Sequence, residues 1–370
     1  MNGRPLSIPN LTPLRGIAAI MVAVFHFNAI TAHFANQEQS MFLGKCYLMV
    51  DLFFILSGFI MLHVYGHEFS NIIRKKDFLK FAGARFARIF PLHFFTLIIL
   101  VALVYGTNTP PGSVYDPNAI LTNIFLLHSY GIHDVNTWNV PSWSISAEWC
   151  AYMIFPLLVF FLFRFKNSGL IVLAVLSIFL YLAILYLLPR TDPSHNLDVS
   201  YDYGYLRGTA GFIAGMIIYR AFQKIEIASF FNNDLVAVLT IMTVVFLLHS
   251  GVNDLLIILS FALLVLSVAS NKKGIHKILQ QKPLQFLGDI SYSIYLTHLL
   301  VLLFLAGTII QKLGYDYNGP GTLDVPFFTG LWLCAIFLVV LIIISSISYY
   351  VIEKPCRSWL NKKFRNQKIR

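Results

Sequence analysis

Long apolar runs recur along the whole chain and are separated by short polar segments. A bilayer core of about 30 Å is crossed by roughly 20 apolar residues in a helix, so each run predicts a membrane-spanning helix. Ten candidate spans result, at residues 11–32, 46–66, 87–105, 143–163, 168–188, 203–220, 232–249, 252–270, 286–310 and 326–352. The pattern therefore predicts an all-α polytopic membrane protein with about ten transmembrane helices.

The composition agrees with this pattern, because 57% of the 370 residues are hydrophobic and only 12% are charged. A soluble domain is closer to a quarter charged. The spans fill the chain, so we expect one integral-membrane domain over residues 1–370. We expect no extracytoplasmic hydrolase-like domain after the last span.

The distribution of the basic residues sets the orientation. The net charge is +10, and most of the 27 Lys and Arg residues fall in every second connecting segment and in the C-terminal tail. Cytoplasmic loops carry such an excess, so both termini are predicted to be cytoplasmic. The outer side holds only Lys45, Arg190, Arg207 and Lys312. The positive charge thus indicates cytoplasmic loops and membrane lipids as neighbours, and no nucleic acid.

The longest outer segment, residues 106–142, contains no Lys or Arg. Three prolines interrupt regular structure in its first half, and the apolar stretch AILTNIFLL is too short to span. It is expected to lie in the membrane interface or to re-enter the bundle. A long uncharged loop of this kind favours a functional lid over a simple connection.

The cysteines give no sign of a metal site. Cys46, Cys150, Cys334 and Cys356 are scattered and show no metal-ligand spacing. They are expected to be packing residues, and no metal is predicted.

Charged residues inside apolar spans are costly, which makes them informative. The first span contains RGIAAIMVAVFH, in which Arg15 precedes His26 by about 16 Å of helix rise. Eleven residues amount to about 20° past three full turns, so both side chains are able to face one cavity. Arg85 and Arg88, at the inner end of the third span, are expected near the layer of Arg15.

A second polar layer is predicted toward the outer surface. His26, Asp51 and Glu148 come from three spans and are expected at similar depth, with Ser144 and Ser146 beside Glu148. Ser57 and His298 are expected near the middle of their spans. Polar groups at such depths face a bundle interior or a wet cavity, so a route between the two layers follows.

Structural interpretations stay open beside the functional ones. Arg15 can extend to lipid headgroups, and Arg85 and Arg88 can be ordinary basic anchors. His26 can be a packing histidine, and Asp51 can cap the second helix. The pair Ser57-Gly58 can serve close helix packing.

Six stretches identify a resemblance, and they occur in order over residues 11 to 360: LTPLRGIAAIMVAVFHF, VDLFFILSGFIM, RFARIFPLHFF, PSWSISAEWCAYMIFPLL, GDISYSIYLTHLL and VIEKPCRSWL. The chain resembles the membrane-bound acyltransferase-3 family, which comprises bacterial O-acyltransferases of surface polysaccharides and related glycans.

The resemblance implies an acyl-CoA donor, usually acetyl-CoA, and a hydroxyl on an extracytoplasmic acceptor. The acceptor would be a glycan or a lipid-linked saccharide, such as O-antigen or exopolysaccharide, and the location the bacterial inner membrane. The resemblance assigns the essential pair to Arg15 and His26. It also assigns the arginines of the third span to Arg85 and Arg88, and the acid to Glu148.

The expected mechanism links the two layers. Arg15, Arg85 and Arg88 would bind the coenzyme A phosphates, because arginine pairs with phosphate bidentately. His26 would act as general base with Glu148 as its orienting acid, although a covalent acyl-histidine stays open. The candidate hydrogen-bond donors to the oxyanion are Ser57, Tyr292, Tyr295 and His298. The alternative is a proton-coupled transporter or flippase of a glycan or small molecule, since an intramembrane His and acid also build proton relays.

Overall fold

The structure, a computed structural model, describes residues 8–35, 40–107, 112–189, 196–305 and 323–366. All the predicted site residues lie within these ranges. Arg190, Lys312 and residues 306–310 of the ninth predicted span lie outside them.

Helices make up most of the described chain. They are α1 (Leu11–Ile30), α2 (Met49–Phe69), α3 (Lys75–Gly106), α4 (Ala119–Ile124), α5 (Trp143–Leu182), α6 (Gly204–Phe222), α7 (Ile225–Phe231), α8 (Asp234–Ser250), α9 (Asp254–Ser270), α10 (Gly274–Leu279), α11 (Lys282–Asp289), α12 (Ser291–Leu305), α13 (Phe327–Ser348) and α14 (Lys354–Asn366). Two-residue strands β1 (Ala32–His33) and β2 (Leu323–Asp324) form one parallel pair.

Within the described ranges, five helical stretches are long and apolar enough to cross a membrane: Leu11–Ile30, Cys46–Phe69, Lys75–Gly106, Val140–Leu187 and Phe327–Phe364. The number rises to seven if the bent pairs α7–α8 and α11–α12 each count as one span. The prediction of an all-α polytopic protein is thus confirmed. The count of ten spans, the cytoplasmic termini and the single domain stay predictions.

Some boundaries differ from those expected. The fourth and fifth predicted spans are joined in α5, which is kinked at Lys166, where φ is 48°. Such a φ is costly for a residue with a side chain, and it turns the chain between the two halves. Helix α3 begins at Lys75 rather than near residue 87. Its first turns are rich in Lys, Ala and Arg, which are good helix formers.

Two glycines let α2 and α6 approach closely. A methyl group on Gly58 would overlap the carbonyl oxygen of Phe212, and one on Gly215 would overlap that of Ile55. Helix α6 also packs against α5, so α2, α5 and α6 form one side of the core. The packing interpretation of Gly58 is therefore correct.

Helix α1 lies close to α11 and α12 for a similar reason. A methyl group on Gly288 would overlap the carbonyl oxygen of Thr12, and one on Gly16 would meet the backbone at Leu287. Helix α12 follows α11 after a bend of 67° and then runs beside α1. This packing brings the polar positions of the first and ninth predicted spans together.

Candidate active site

One cavity of about 130 Å³ lies among α1, α2, α3, α5 and α12. Arg15, Arg85, Arg88 and Glu148 line it and come from three helices. The structure therefore brings together the three arginines that the sequence placed in one layer. The remaining polar side chains of the lining are Ser57, Ser144, Tyr152, Ser291, Tyr292 and Tyr295.

The arginines differ in how their charge is balanced. Arg88 Nη1 donates to Glu353 Oε1 at 2.7 Å. Arg85 Nη2 donates to the Tyr65 hydroxyl at 3.2 Å, and its buried Nε has no partner within the described ranges. Among the described residues, neither Arg15 nor Arg85 has a carboxylate within 4.0 Å. The cavity thus holds two guanidinium groups that form no ion pair with a described residue.

Glu353 holds Arg88 in place from the far end of the chain. It is the last residue of a π-helical turn, Tyr349–Glu353, that joins α13 to α14, and its side chain is 1% exposed. Oε2 accepts from Ser293 Oγ at 2.8 Å, and Arg357 lies 3.7 Å from Oε1. The sequence predicts no role for Glu353. An acid that ends an apolar run, in the quoted stretch VIEKPCRSWL, was the available signal.

Glu148 belongs to the arginine cavity. Its Oε1 accepts from Ser57 Oγ at 2.7 Å and from the Tyr152 hydroxyl at 2.5 Å. No described hydrogen bond or ion pair joins Glu148 to His26. The expected contact between this acid and the imidazole is therefore absent, because Glu148 is bound on the side of α5 that faces α2.

The partner of His26 is a second histidine. His298 Nε2 lies 3.1 Å from His26 Nδ1, and the ring centroids are 4.9 Å apart. His298 Nδ1 lies 2.6 Å from the carbonyl oxygen of Tyr295, and His26 Nδ1 lies 3.0 Å from that of Val22. The two rings thus form a dyad between α1 and α12.

These contacts fix the tautomers of the neutral dyad. A carbonyl oxygen only accepts, so His298 carries its proton on Nδ1 and presents a lone pair at Nε2. His26 Nδ1 must then donate, both to that lone pair and to the Val22 carbonyl. The remaining nitrogen, His26 Nε2, carries an unprotonated lone pair, which is the form that a general base needs.

Tyr295 connects the dyad to the cavity. Its side chain lines the cavity and packs against Phe53, another lining residue, with ring centroids 5.7 Å apart. Its carbonyl oxygen holds His298. His26 itself is not part of the lining, whereas Tyr295 and Phe53 are.

Asp51 was expected to line the cavity, and the structure places it elsewhere. It forms an ion pair with Arg207 of α6, with Nη2 2.6 Å from Oδ2 and both side chains 0% exposed. Arg207, expected on the outer side, also donates to the carbonyl oxygens of Val199 and Tyr47. A buried charge needs a compensating partner, and each residue supplies it to the other.

The other candidate site residues also fall into two groups, those that line the cavity and those that lie elsewhere. Ser57, Ser144, Tyr292 and Tyr295 line the cavity. Ser146 instead binds the Leu126 carbonyl at 2.7 Å and Ser129 at 2.8 Å, and so attaches the outer segment to α5. The catalytic and binding roles of all these residues stay predictions.

Comparison with known proteins identifies the family of this chain. The sequence model of the acyltransferase-3 family, described as an acyltransferase domain, matches residues 8–351. The chain belongs to the acyltransferase-3 family. The long apolar helices and this membership together indicate a multi-pass membrane protein with an acyltransferase-family domain.

Three relatives show how far the similarity extends. Acyltransferase MdmB of Streptomyces mycarofaciens is 34% identical over 168 residues, which cover 42% of this chain and 40% of that protein. O-acetyltransferase OatA of Staphylococcus aureus is 25% identical, over 95% of this chain and 58% of OatA. Putative peptidoglycan O-acetyltransferase YrhL of Bacillus subtilis is 26% identical, over 95% and 55%. The acyltransferase-3 chain described here thus spans little more than half the length of these last two relatives.

Proposed function

We propose that the protein transfers an acyl group, with acetyl as the first candidate, from cytoplasmic acyl-CoA to a hydroxyl of an extracytoplasmic glycan. The observation that carries this proposal is a cavity in which Arg15 and Arg85 have no carboxylate partner among the described residues. The names of the relatives OatA and YrhL support O-acetyl transfer, and that of YrhL supports a cell-wall glycan as acceptor.

The donor would bind through its phosphates. Arg15 and Arg85 would pair with phosphate oxygens, whereas Arg88 shares its charge with Glu353 and would contribute less. The pantetheine arm would extend along α1 toward His26, over about 16 Å. The side chains of Phe53 and Tyr295 would have to move aside before the thioester could reach the dyad.

The chemistry would centre on His26. Its Nε2 takes the proton of the acceptor hydroxyl as the hydroxyl oxygen attacks the thioester carbonyl carbon. The carbon–sulfur bond then breaks, and the imidazolium returns the proton to the coenzyme A thiolate. The products are an O-acyl ester and free coenzyme A.

His298 would take the orienting position that Glu148 was expected to hold. In acyl-transfer triads this position belongs to an acceptor on the Nδ1–H of the base. Glu148, bound by Ser57 and Tyr152, would instead set the charge of the arginine cavity.

Purified protein in sealed vesicles tests the function. Radiolabelled acetyl-CoA is supplied on one side and an N-acetylglucosamine oligosaccharide on the other, and labelled ester is measured. Wild-type protein should form ester only when the donor is supplied on the side of the membrane that carries the Lys- and Arg-rich loops. The rate of His26→Ala should fall at least about 100-fold. Saccharide flux without acetyl-CoA would establish the transporter alternative instead. Full transfer by His26→Ala would remove the base assignment.

A further inference from the structure

A second group of polar side chains lies where the outer segment 112–142 packs against α3, apart from the arginine cavity. His93 of α3 is fully buried, and its Nε2 donates to the carbonyl oxygen of Asn123 at 2.9 Å. The rings of His93 and His128 stack with centroids 5.8 Å apart and an interplanar angle of 5°. Asn139 Nδ2 donates to Thr96 Oγ1 at 3.1 Å, one turn after His93. We name His93, Asn123, His128 and Asn139 the outer polar cluster.

The outer polar cluster has unmet hydrogen-bonding capacity. Four buried atoms have no hydrogen-bond partner in the described part of the chain: His93 Nδ1, Asn123 Oδ1, His128 Nδ1 and Asn139 Oδ1. His93 donates from Nε2, so its Nδ1 is an acceptor, as are the two amide oxygens. Buried polar atoms without partners are uncommon, and four in one network indicate that another group supplies the missing hydrogens.

The cluster is electrically neutral. Its four members are two histidines and two asparagines, so it contains no carboxylate, arginine or lysine. Burial lowers the pKa of His128 to about 3, and the nearby His93 lowers this pKa further. An anion would bring no hydrogen to three acceptors. A ligand with several neutral hydroxyl groups supplies donors without a charge to be desolvated.

The backbone around the cluster is held in a strained form. Leu126 and Trp138 have φ values of 57° and 56°, and each is a bulky residue in the left-handed region. Leu126 lies between Asn123 and His128, and Trp138 precedes Asn139. Trp138 is fixed by its own N–H to the Val114 carbonyl at 2.8 Å and by Nε1 to that of Asp116 at 2.9 Å. Strain that the surrounding structure maintains is typical of ligand-binding segments.

The cluster adjoins the proposed catalytic centre. Asn139 Nδ2 also donates to the carbonyl oxygen of Leu296 at 3.2 Å, next to Tyr295 on α12. The Tyr295 hydroxyl in turn donates to the Pro141 carbonyl at 3.1 Å. The segment from Asn139 to Pro141 therefore contacts the helix that carries His298.

We infer that the outer polar cluster binds hydroxyl groups of the saccharide acceptor and holds the acceptor near the His26–His298 dyad. This inference rests on the proposed function, which supplies a saccharide as the acceptor. Segment 112–142 would then be the acceptor-reading part of the outer surface.

Glutamine variants test the cluster with little change in packing. In His93→Gln the amide nitrogen still reaches the Asn123 carbonyl, and in His128→Gln the amide still reaches Ser142, whereas each variant loses its Nδ1 atom. We expect the double variant to raise the acceptor KM on the order of tenfold, with the acetyl-CoA KM unchanged. His249→Gln, on the outer side near Ser40, is the matched control and should change neither constant.

A binding measurement separates this inference from the proposed function. N-acetylglucosamine tetramer should raise the thermal unfolding temperature of wild-type protein and of His249→Gln, and the double variant should lose this protection. That result supports the cluster even if no acyl transfer is detected. Equal protection of the double variant overturns the inference. So does the absence of protection in wild-type protein at millimolar saccharide, which would leave buried water as the partner of these atoms.

Discussion

His298 Nε2 lies 3.1 Å from His26 Nδ1, and the Tyr295 carbonyl fixes the direction of this hydrogen bond by accepting from His298 Nδ1. A neutral imidazole thus stands where acyl-transfer triads place a carboxylate. His298→Phe keeps the ring shape and removes the acceptor, so we expect kcat to fall about 10–100-fold with the donor KM unchanged. His298→Gln keeps an acceptor near the position of Nε2 and should restore much of the rate.

The pH profile distinguishes orientation from simple packing. His298→Glu would place a carboxylate beside His26 and stabilise the imidazolium, so the acidic limb of the rate profile, which reports deprotonation of the general base, should move to higher pH. Profiles that coincide for wild-type, His298→Gln and His298→Glu proteins would contradict the orienting role. His249→Gln, at a histidine outside both the dyad and the outer polar cluster, serves as the control.

Arg15 and Arg88 should respond differently to removal. Arg15 has no carboxylate partner among the described residues, so Arg15→Ala should raise the acetyl-CoA KM about 10–100-fold at little cost in stability. Arg88→Ala leaves Glu353 buried without its 2.7 Å partner, and should lower the unfolding temperature as well. Donor titrations and thermal unfolding of both variants check this, with Lys282→Ala as the surface control. Equal donor KM values for wild-type and Arg15→Ala would rule out a phosphate contact.

The Asp51–Arg207 ion pair is expected to stabilise the fold rather than to act in catalysis. Breaking a buried pair costs about 3–5 kcal/mol, because it leaves one uncompensated charge. Asp51→Asn and Arg207→Met should each lower the unfolding temperature strongly, and the double variant should recover part of the loss. Folded Asp51→Asn protein should keep its donor and acceptor KM values. A selective loss of kcat at normal stability would return Asp51 to the candidate catalytic residues.

Acid should destabilise the outer segment through His128. Its pKa lies at about 3 in the folded protein, because it is buried, against about 6.5 in an unfolded chain. The unfolded state therefore binds a proton first, and the free energy of unfolding falls as the pH drops from about 6.5 toward 3. His93 and His133 are the titratable groups that act on it. Unfolding temperatures at pH 7 and pH 5 measure this, and His128→Gln should narrow the difference between them.

The sequence alone predicts the helical membrane architecture, because an apolar run of about 20 residues has few other stable states. It also placed Arg15, Arg85 and Arg88 at one depth, since helix rise converts sequence distance into height. The six quoted stretches pointed to the acyltransferase-3 family, and the family match confirms that membership.

Depth along a helix does not specify which side chains meet, and only the tertiary structure decided that. Glu148 and Asp51 were expected level with His26, but Glu148 binds Ser57 and Asp51 binds Arg207. The partner of His26 comes from α12, which the close approach at Gly16 and Gly288 sets beside α1. Contacts between distant parts of the chain depend on helix rotation and packing, and these are absent from hydrophobic periodicity.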